Sequence, residues 1–384
     1  MSRTHATTPT PRPKDAQWRS RLRRRLFAWF GRNARELPWR GTTDPYHVWL
    51  SEIMLQQTQV ATVESYYPRF LAALPAIADL AAADEETVLR LWEGLGYYRR
   101  ARQLREAARQ IVAQHGGVFP RAFDDVVALP GIGRYTAGAI LSIAFDQRQP
   151  ILEANTVRLY ARLLDYGGEA DATAGQKQLW AAAESWLPRR DVGTFNQALM
   201  EIGALVCRPR DPDCDVCPLA DLCVSRARGT QLGLPKLKPR RQRKQVRTVA
   251  VVVRRDAGVL VVKRNGEDNG RWPGLWDFPR FDVPHEASRP RLAALVTKAL
   301  ATWGVRVALG ERLTTMRHAV THHDITLECY NAECSNAECQ AIEVGEDIGR
   351  PRPQLRWVRP GALADLPLNV TARRLADLVT ESSD

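Results

Sequence analysis

Acids are scarce in this sequence: 43 aspartates and glutamates face 55 lysines and arginines, leaving a formal charge of +12 and a pI near 9.7. No stretch approaches the ~18 consecutive apolar residues of a membrane-spanning helix. The first residues lack the hydrophobic region of a secretory signal. These absences point away from membrane and secreted classes and towards a soluble, cytoplasmic protein with a polyanionic partner, DNA or RNA sooner than a membrane surface. Disulfides are uncommon in that setting, so the seven cysteines need another explanation. What the chain does have is length and apolar matter. Its 384 residues, 45% of them hydrophobic, suffice for two or three domains with a core in each.

Residues 1–15, rich in threonine, proline and arginine, read as a disordered lead-in. From Trp18 to Asn33 the pattern is an amphipathic helix, with Leu22, Leu26, Phe27, Trp29 and Phe30 recurring among Arg19, Arg21, Arg23, Arg24 and Arg25. A solvated basic face over a packed aromatic face accounts for it, and direct DNA contact is the alternative. Asp44-Pro45 is a turn able to cap the next helix, which carries Tyr46 through Val60. There Glu52 lies among Trp49, Ile53, Met54 and Leu55, an awkward place for a charge. The polar run Gln56-Gln57-Thr58-Gln59 that follows looks more like an exposed ligand face than a core.

Further on, Glu93-Gly94-Leu95-Gly96-Tyr97-Tyr98-Arg99-Arg100-Ala101-Arg102 pairs a flexible loop with a stacking platform and phosphate-binding charges. The stretch Leu129-Pro130-Gly131-Ile132-Gly133-Arg134-Tyr135-Thr136 then joins a helix ending near Val127 to a helix of small residues. Gly131 and Gly133 allow positive φ and remove Cβ atoms, so amides at the new helix N-terminus can touch an anion, and Arg134 adds charge there. This reads as a helix-hairpin-helix built to grip a nucleic-acid phosphate, against the plainer reading of a glycine-rich connection. A carboxylate follows that helix, in Ile151-Leu152-Glu153-Ala154-Asn155.

After a helix beginning at Phe195 come Cys207, Cys214, Cys217 and Cys223 in one short loop. Four thiolates so spaced are a structural zinc site or a [4Fe–4S] cluster, and spacing alone leaves both open. Cys329, Cys334 and Cys339 read as ordinary residues. Between Leu234 and Arg247 the chain is basic, proline-containing and free of acids, a linker that can also lie along phosphates. Beyond it the apolar runs Val249–Val253 and Val259–Val262 flank the turn Asp256-Ala257-Gly258, a β-hairpin. A tryptophan-rich loop, a helix from about Pro290 to Trp303 and more strands follow. The last third is therefore α+β, and the first two thirds are nearly all α.

From Trp18 to Leu375 the chain resembles adenine DNA glycosylases of the MutY type, within the helix-hairpin-helix glycosylase superfamily. The segment Trp49–Val60, the hairpin Leu129–Ile140 and the four-cysteine spacing carry the resemblance. It implies a multidomain protein: the lead-in 1–15, a mostly α helix-hairpin-helix glycosylase domain over 16–233 with its cluster loop 207–223, a linker over 234–247, and an α+β Nudix-like domain over 248–384. It also implies a [4Fe–4S] cluster in place of zinc, on a loop whose Arg208 and Arg210 contact DNA. The implied activity is monofunctional base excision: adenine mispaired with 8-oxoguanine or guanine in double-stranded DNA is flipped out and its N-glycosidic bond hydrolysed, by a monomer. Glu52 matches the general acid that protonates adenine, helped by apolar neighbours that favour its protonated form. Glu153 stands where relatives carry the aspartate that stabilises the oxocarbenium-like sugar. The family's Leu-Asp-Gly-Asn is Leu152-Glu153-Ala154-Asn155 here, one methylene longer and without the glycine, so either the backbone retreats or the rate falls. Asn155 matches the asparagine that orients the site.

The same resemblance assigns Trp39, Arg40, Leu55 and Gln197 to the adenine pocket, the last often glutamate in relatives. Gln57, Thr58, Leu95 and Tyr97 match contacts or a wedge at the lesion. Tyr135 stands where endonuclease III enzymes place a lysine for Schiff-base chemistry, which a phenol cannot perform. The C-terminal part resembles a MutT-type Nudix fold, but the carboxylate places of a catalytic Nudix box hold Thr297, Lys298, Ala301 and Thr302. It therefore reads as a recognition module without a Mg²⁺ site. Its Val320-Thr321-His322 aligns with the lesion-reading Phe-Ser-His of relatives, keeping hydroxyl and imidazole and losing the aromatic. The competing functions are an endonuclease III-like glycosylase/lyase, opposed by Tyr135, and a mispair-binding protein that does not cut.

Overall fold

The computed structural model describes residues 15–238, 242–264, 271–320, 322–334 and 353–381. The chain forms two compact units. One comprises Met1–Ala82 and Glu106–Pro239, the other Ala83–Arg105 and Arg240–Asp384. Among the described residues no helix is long and apolar enough to cross a membrane.

In chain order the helices are α1 (Ala16–Asn33), α2 (Pro45–Leu55), α3 (Val60–Ala73), α4 (Ile77–Ala82), α5 (Glu85–Leu91), α6 (Arg99–His115), α7 (Phe123–Ala128), α8 (Arg134–Phe145), α9 (Ala154–Leu164), α10 (Thr173–Trp186), α11 (Val192–Leu205) and α12 (Val224–Arg228). The first unit is helical throughout. Asp15 caps α1 by accepting from the Gln17 amide at 2.8 Å. The i, i+4 stripe Trp18, Leu22, Leu26 and Trp29 is buried against α9, α10 and α11, and Trp18 meets Trp186 at 4.7 Å between ring centroids. The basic face of α1 is partly consumed inside the unit. Arg23 donates to the carbonyls of Trp186 and Leu187 at the end of α10, where a cation meets the negative end of the dipole. Arg21 and Arg25 pair with Asp221 of the cysteine loop.

Two glycines fix how closely the helices of this unit approach. A Cβ on Gly138 of α8 would lie 2.3 Å from the Pro150 carbonyl oxygen, and one on Gly203 of α11 would lie 2.8 Å from Asn155 Cβ. Only glycine lets the segment leading into α9 lie on α8, and lets α11 press on the first turn of α9.

The second unit has strands β1 (Lys244–Arg255), β2 (Gly258–Lys263), β3 (Trp276–Asp277), β4 (Arg280–Val283), β5 (Val307–Val320), β6 (His323–Cys334) and β7 (Gln354–Val358), with helices α13 (Arg289–Ala301) and α14 (Val370–Glu381). The sheet runs β3-β2-β1-β6-β5, with β4 on β1 and β7 on β2; β1 and β6 are parallel. Val249, Val251 and Val253 face the core under α13, whereas Ala250 and Val252 face the core under α14. Both faces of β1 are covered, so its run is apolar at every position. Thr297, Lys298 and Ala301 lie on α13 and Thr302 is its C-cap.

Two expectations need adjustment. The helix carrying Glu52 stops at Leu55, and the run Gln56–Gln59 is a turn before α3. Gln57 takes φ +58 there, a left-handed value that breaks the helix. Cys334 is disulfide-bonded and so is not an ordinary thiol, whereas Cys329 is free and buried. Thr321 and Cys339 lie outside the described residues.

Candidate active site

Five elements of the first unit converge on a cavity of about 540 Å³: the 35–40 loop, α2 with its following turn, α8, the start of α9 and the C-terminal half of α11. Glu52, Glu153, Asn155 and Tyr135 line it together with Trp39, Arg40, Leu55, Gln57, Thr58 and Gln197. Residues spread over more than 150 positions of sequence thus share one space.

Asp44 starts α2 by accepting from the amides of Tyr46 and His47, with Pro45 pre-set for the first turn. Two turns later Glu52 is buried. Its Oε2 accepts from the Tyr135 hydroxyl at 2.6 Å. Burial pushes the Glu52 carboxyl up to about 7, the Tyr135 hydrogen bond opposes that, and the Glu153 charge adds to it. Burial also drives the Tyr135 hydroxyl well above its ordinary value. The phenol therefore stays a donor.

Glu153 is the N-cap of α9. Its Oε1 accepts from the Thr156 amide at 2.8 Å. Its Oε2 accepts from the Asn155 amide at 2.8 Å and from Asn155 Nδ2 at 3.2 Å. Thr156 Oγ1 in turn accepts from the Glu153 amide at 2.8 Å, closing a reciprocal capping box. Burial holds this carboxyl above its ordinary value too, although the amides of Asn155 and Thr156 and the Arg158 charge pull it back. Asn155 is held from behind, its Oδ1 accepting from Arg158 Nη2 at 2.8 Å.

Glu201 and Arg35 are cavity residues that sequence reading passed over. Glu201 is as buried as Glu52, yet it takes the opposite protonation state. Arg35 donates to it through its amide, Nε and Nη2 at 2.8–2.9 Å, and Arg40 donates through Nη1 at 3.0 Å and Nη2 at 2.7 Å. Burial opposes ionisation, but these bonds outweigh it and bring the carboxyl down to about 2. The signal was available, since Glu201 sits among Leu199, Met200 and Ile202 much as Glu52 sits among its apolar neighbours.

Ahead of α8, Gly131 adopts φ +79, while Gly133 is the N-cap with extended backbone at φ −97, not the positive value expected. No side chain caps α8, so its first amides point outward, the arrangement that suits an anion. Arg134 stacks over Trp180 at 3.9 Å. In the cysteine loop the four thiols of Cys207, Cys214, Cys217 and Cys223 line a second, small cavity with Arg162. Arg162 Nη1 lies 3.3 Å from Cys207 Sγ, and Arg158 Nε donates to the Cys207 carbonyl at 2.7 Å. Among the described residues no three histidine, cysteine, aspartate or glutamate side chains form a single-ion site. Arg208 and Arg210 are exposed.

The remaining expected residues lie in the second unit. Leu95 is buried and Tyr97 is 49% exposed. Tyr98 and Arg100 are buried, so they are no part of a stacking platform. His322 is exposed at the turn between β5 and β6.

The family model described as HhH-GPD superfamily base excision DNA repair protein matches residues 50–236, and the one described as NUDIX domain matches residues 248–378. The chain is 34% identical over 359 residues to the adenine DNA glycosylase of Rattus norvegicus, a match covering 80% of this chain and 69% of that one. It is 44% identical over 215 residues to the adenine DNA glycosylase of Homo sapiens, covering 54% of this chain and 39% of the relative. Among solved structures, that of a thermostable thymine-DNA glycosylase is similar at a TM-score of 0.51 and 29% identity, over 55% of this chain and 98% of that one.

The Glu52 shift has a stability consequence. Its folded value, about 7, exceeds the ordinary 4.5, so burial costs nothing below about pH 4.5, where both states are protonated; the penalty builds as the unfolded chain ionises between 4.5 and 7 and is complete above 7. Glu52→Gln removes that penalty. It should raise the urea midpoint at about pH 8, by at most about 3 kcal/mol, and leave it nearly unchanged at about pH 4.5. An equal effect at both pH values would show that Glu52 is not protonated in the fold.

Proposed function

From the premise that the chain belongs to the adenine DNA glycosylase family, we propose that it removes adenine opposite 8-oxoguanine or guanine in duplex DNA. One observation carries this reading: two carboxyl groups of unlike surroundings line a single cavity with ample room for a purine base. Glu52 receives a single hydrogen bond among the described residues, from Tyr135, and is pushed up to about 7, so it holds its proton far above the ordinary glutamate range. It serves as the general acid that passes a proton to a ring nitrogen of the extruded adenine, making the base a leaving group. Glu153 accepts three N–H bonds at the positive end of α9, and serves as the anion facing the sugar as its oxocarbenium character develops. Asn155, itself held by Arg158, orients that carboxylate.

Trp39, Leu55 and Gln197 wall the base pocket, and the Arg35–Glu201–Arg40 triad fixes its cationic side. Tyr135 supports hydrolysis without a lyase step, since a phenol forms no Schiff base. The uncapped N-terminus of α8, with Gly131 and Gly133, serves as the phosphate grip. Gln57 and Thr58 serve at the lesion strand, as do Leu95, Tyr97, Thr321 and His322 of the second unit. Gln57 and Tyr97 support this in their backbones. Apart from aspartates, which tolerate the left-handed region, they and Trp272 are the non-glycine residues found there among the described residues.

We assign the four-cysteine cavity to a [4Fe–4S] cluster. Four thiols around one space with the Arg162 guanidinium beside them fit a group that carries several negative charges. Such a cluster would order the loop bearing Arg208 and Arg210, and no step of base release is routed through it. Anaerobically purified protein should hold about four irons per chain, as expected for four-cysteine ligation. Zinc without iron would contradict the assignment.

Single-turnover assays on adenine:8-oxoguanine and adenine:guanine duplexes test the enzymatic reading. Wild type should release adenine from both, faster opposite 8-oxoguanine. Glu52→Gln and Glu153→Gln should each lose at least ~10²-fold in rate while still binding the mispair. Glu153→Asp, which keeps a capping carboxylate, should lose less than Glu153→Gln. Near wild-type turnover by Glu52→Gln would place the acid elsewhere, and binding without release by wild type would leave a mispair-binding protein.

A further inference from the structure

Residues 83–105 fold with the second unit, although the chain on both sides of them belongs to the first. Two carboxylates fasten them there. Glu93 is forked by Arg373 of α14, whose Nε donates to Oε1 at 2.7 Å and Nη2 to Oε2 at 3.0 Å, and the Leu368 amide donates to Oε2 at 3.2 Å. Glu86 of α5 accepts from Lys263 Nζ at 2.7 Å and from Trp276 Nε1 at 3.1 Å. Arg373 is itself pinned, donating Nη1 to the Leu363 carbonyl and Nη2 to the Leu366 carbonyl. With Glu93 and Arg373 only 15% and 25% exposed, this planar fork is far stiffer than a solvent-exposed pair.

The loop beside Glu93 is rigid from within. Trp92 Nε1 donates to the Gly96 carbonyl at 3.1 Å, and Arg100 Nη2 donates to the carbonyls of Leu95 and Gly96 at 3.2 Å. Gly94, Gly96 and Tyr97 all have positive φ, at 100°, 70° and 48°. A tyrosine persists there only where its surroundings over-determine the backbone. A loop this stiff moves as its base moves, and its base is Glu93.

We propose that Glu93 and Arg373 are positioning residues: the second unit grips residues 83–105 through this pair and so sets how Leu95 and Tyr97 are presented to the lesion, separately from any contact made by His322. The lesion half of this rests on the function proposed above; the grip itself does not. One consequence concerns truncation. Removing everything after residue 239 takes away Lys263, Trp276 and Arg373 along with His322, so loss of discrimination in such a fragment does not by itself implicate His322.

The test joins two readouts on the full chain. In Glu93→Gln and in Arg373→Met, amide hydrogen exchange over residues 94–100 should quicken by about 10-fold or more as the anchor opens. The ratio of single-turnover rates opposite 8-oxoguanine and guanine should fall about 3- to 10-fold, with the rate opposite guanine little changed, and the double variant should lose less than the two single losses combined, because the two residues share the fork. Arg373→Lys, which keeps the charge, should recover part of the ratio, whereas a fold defect would depress both rates together. Unchanged exchange in both single variants would overturn the grip. Faster exchange with an unchanged ratio would overturn its role in lesion reading. Absence of adenine release by wild type would fail the proposed function and leave the exchange result to judge the grip alone.

Discussion

The first unit depends on the hydrogen bonds at the start of α9. Two carboxyl groups line one cavity, and burial weighs against ionising either. Glu153 has the Asn155 and Thr156 amides, the Asn155 side chain and the positive end of a helix. Glu52 has a phenol. That asymmetry draws the Glu153 carboxyl back towards its ionised form and leaves Glu52 up at about 7. Glu201 completes the contrast, because burial like that of Glu52 gives a firmly ionised group once two guanidiniums enclose it. Burial sets the stakes, and hydrogen-bond partners decide the outcome.

Packing explains why these groups meet. Gly203 lets α11 lie on Asn155, and Gly138 lets the segment before Glu153 lie on α8, the helix that carries Tyr135. Arg158 then spans from the Asn155 side chain to the Gly203 and Cys207 carbonyls, so the cysteine loop and the first turn of α9 share one guanidinium. Glu153 is accommodated within this frame. Its longer side chain turns back to the α9 amides and makes the cap that a shorter aspartate makes readily.

Much of this was legible in the sequence where one strong period or one misplaced charge stood out. The spacing of Trp18, Leu22, Leu26 and Trp29 gave α1, the valine runs gave β1 and β2, and an acid in an apolar helix pointed to Glu52. The turn at Gln57 was hidden because glutamine carries no left-handed preference, and the helical pattern runs straight through it. Arg35 and Glu201 were hidden by distance, 166 positions apart and meaningful only as a pair. The grouping of residues 83–105 was hidden likewise, since Glu93 finds Arg373 across 280 positions. Gly133 misled because a glycine in a Pro-Gly-x-Gly turn suggests positive φ, whereas here it supplies an open N-cap.

The account turns on the unlike protonation of the two carboxyl groups, and infrared spectroscopy of the free protein reads it directly. Titrated from about pH 5 to about pH 9, the wild type should show a protonated-carboxyl C=O band that fades with a midpoint near neutrality, far above an ordinary glutamate. The band should be missing in Glu52→Gln and retained in Glu153→Gln. A near-neutral band that survives in Glu52→Gln and vanishes in Glu153→Gln would reverse the two roles and contradict the account.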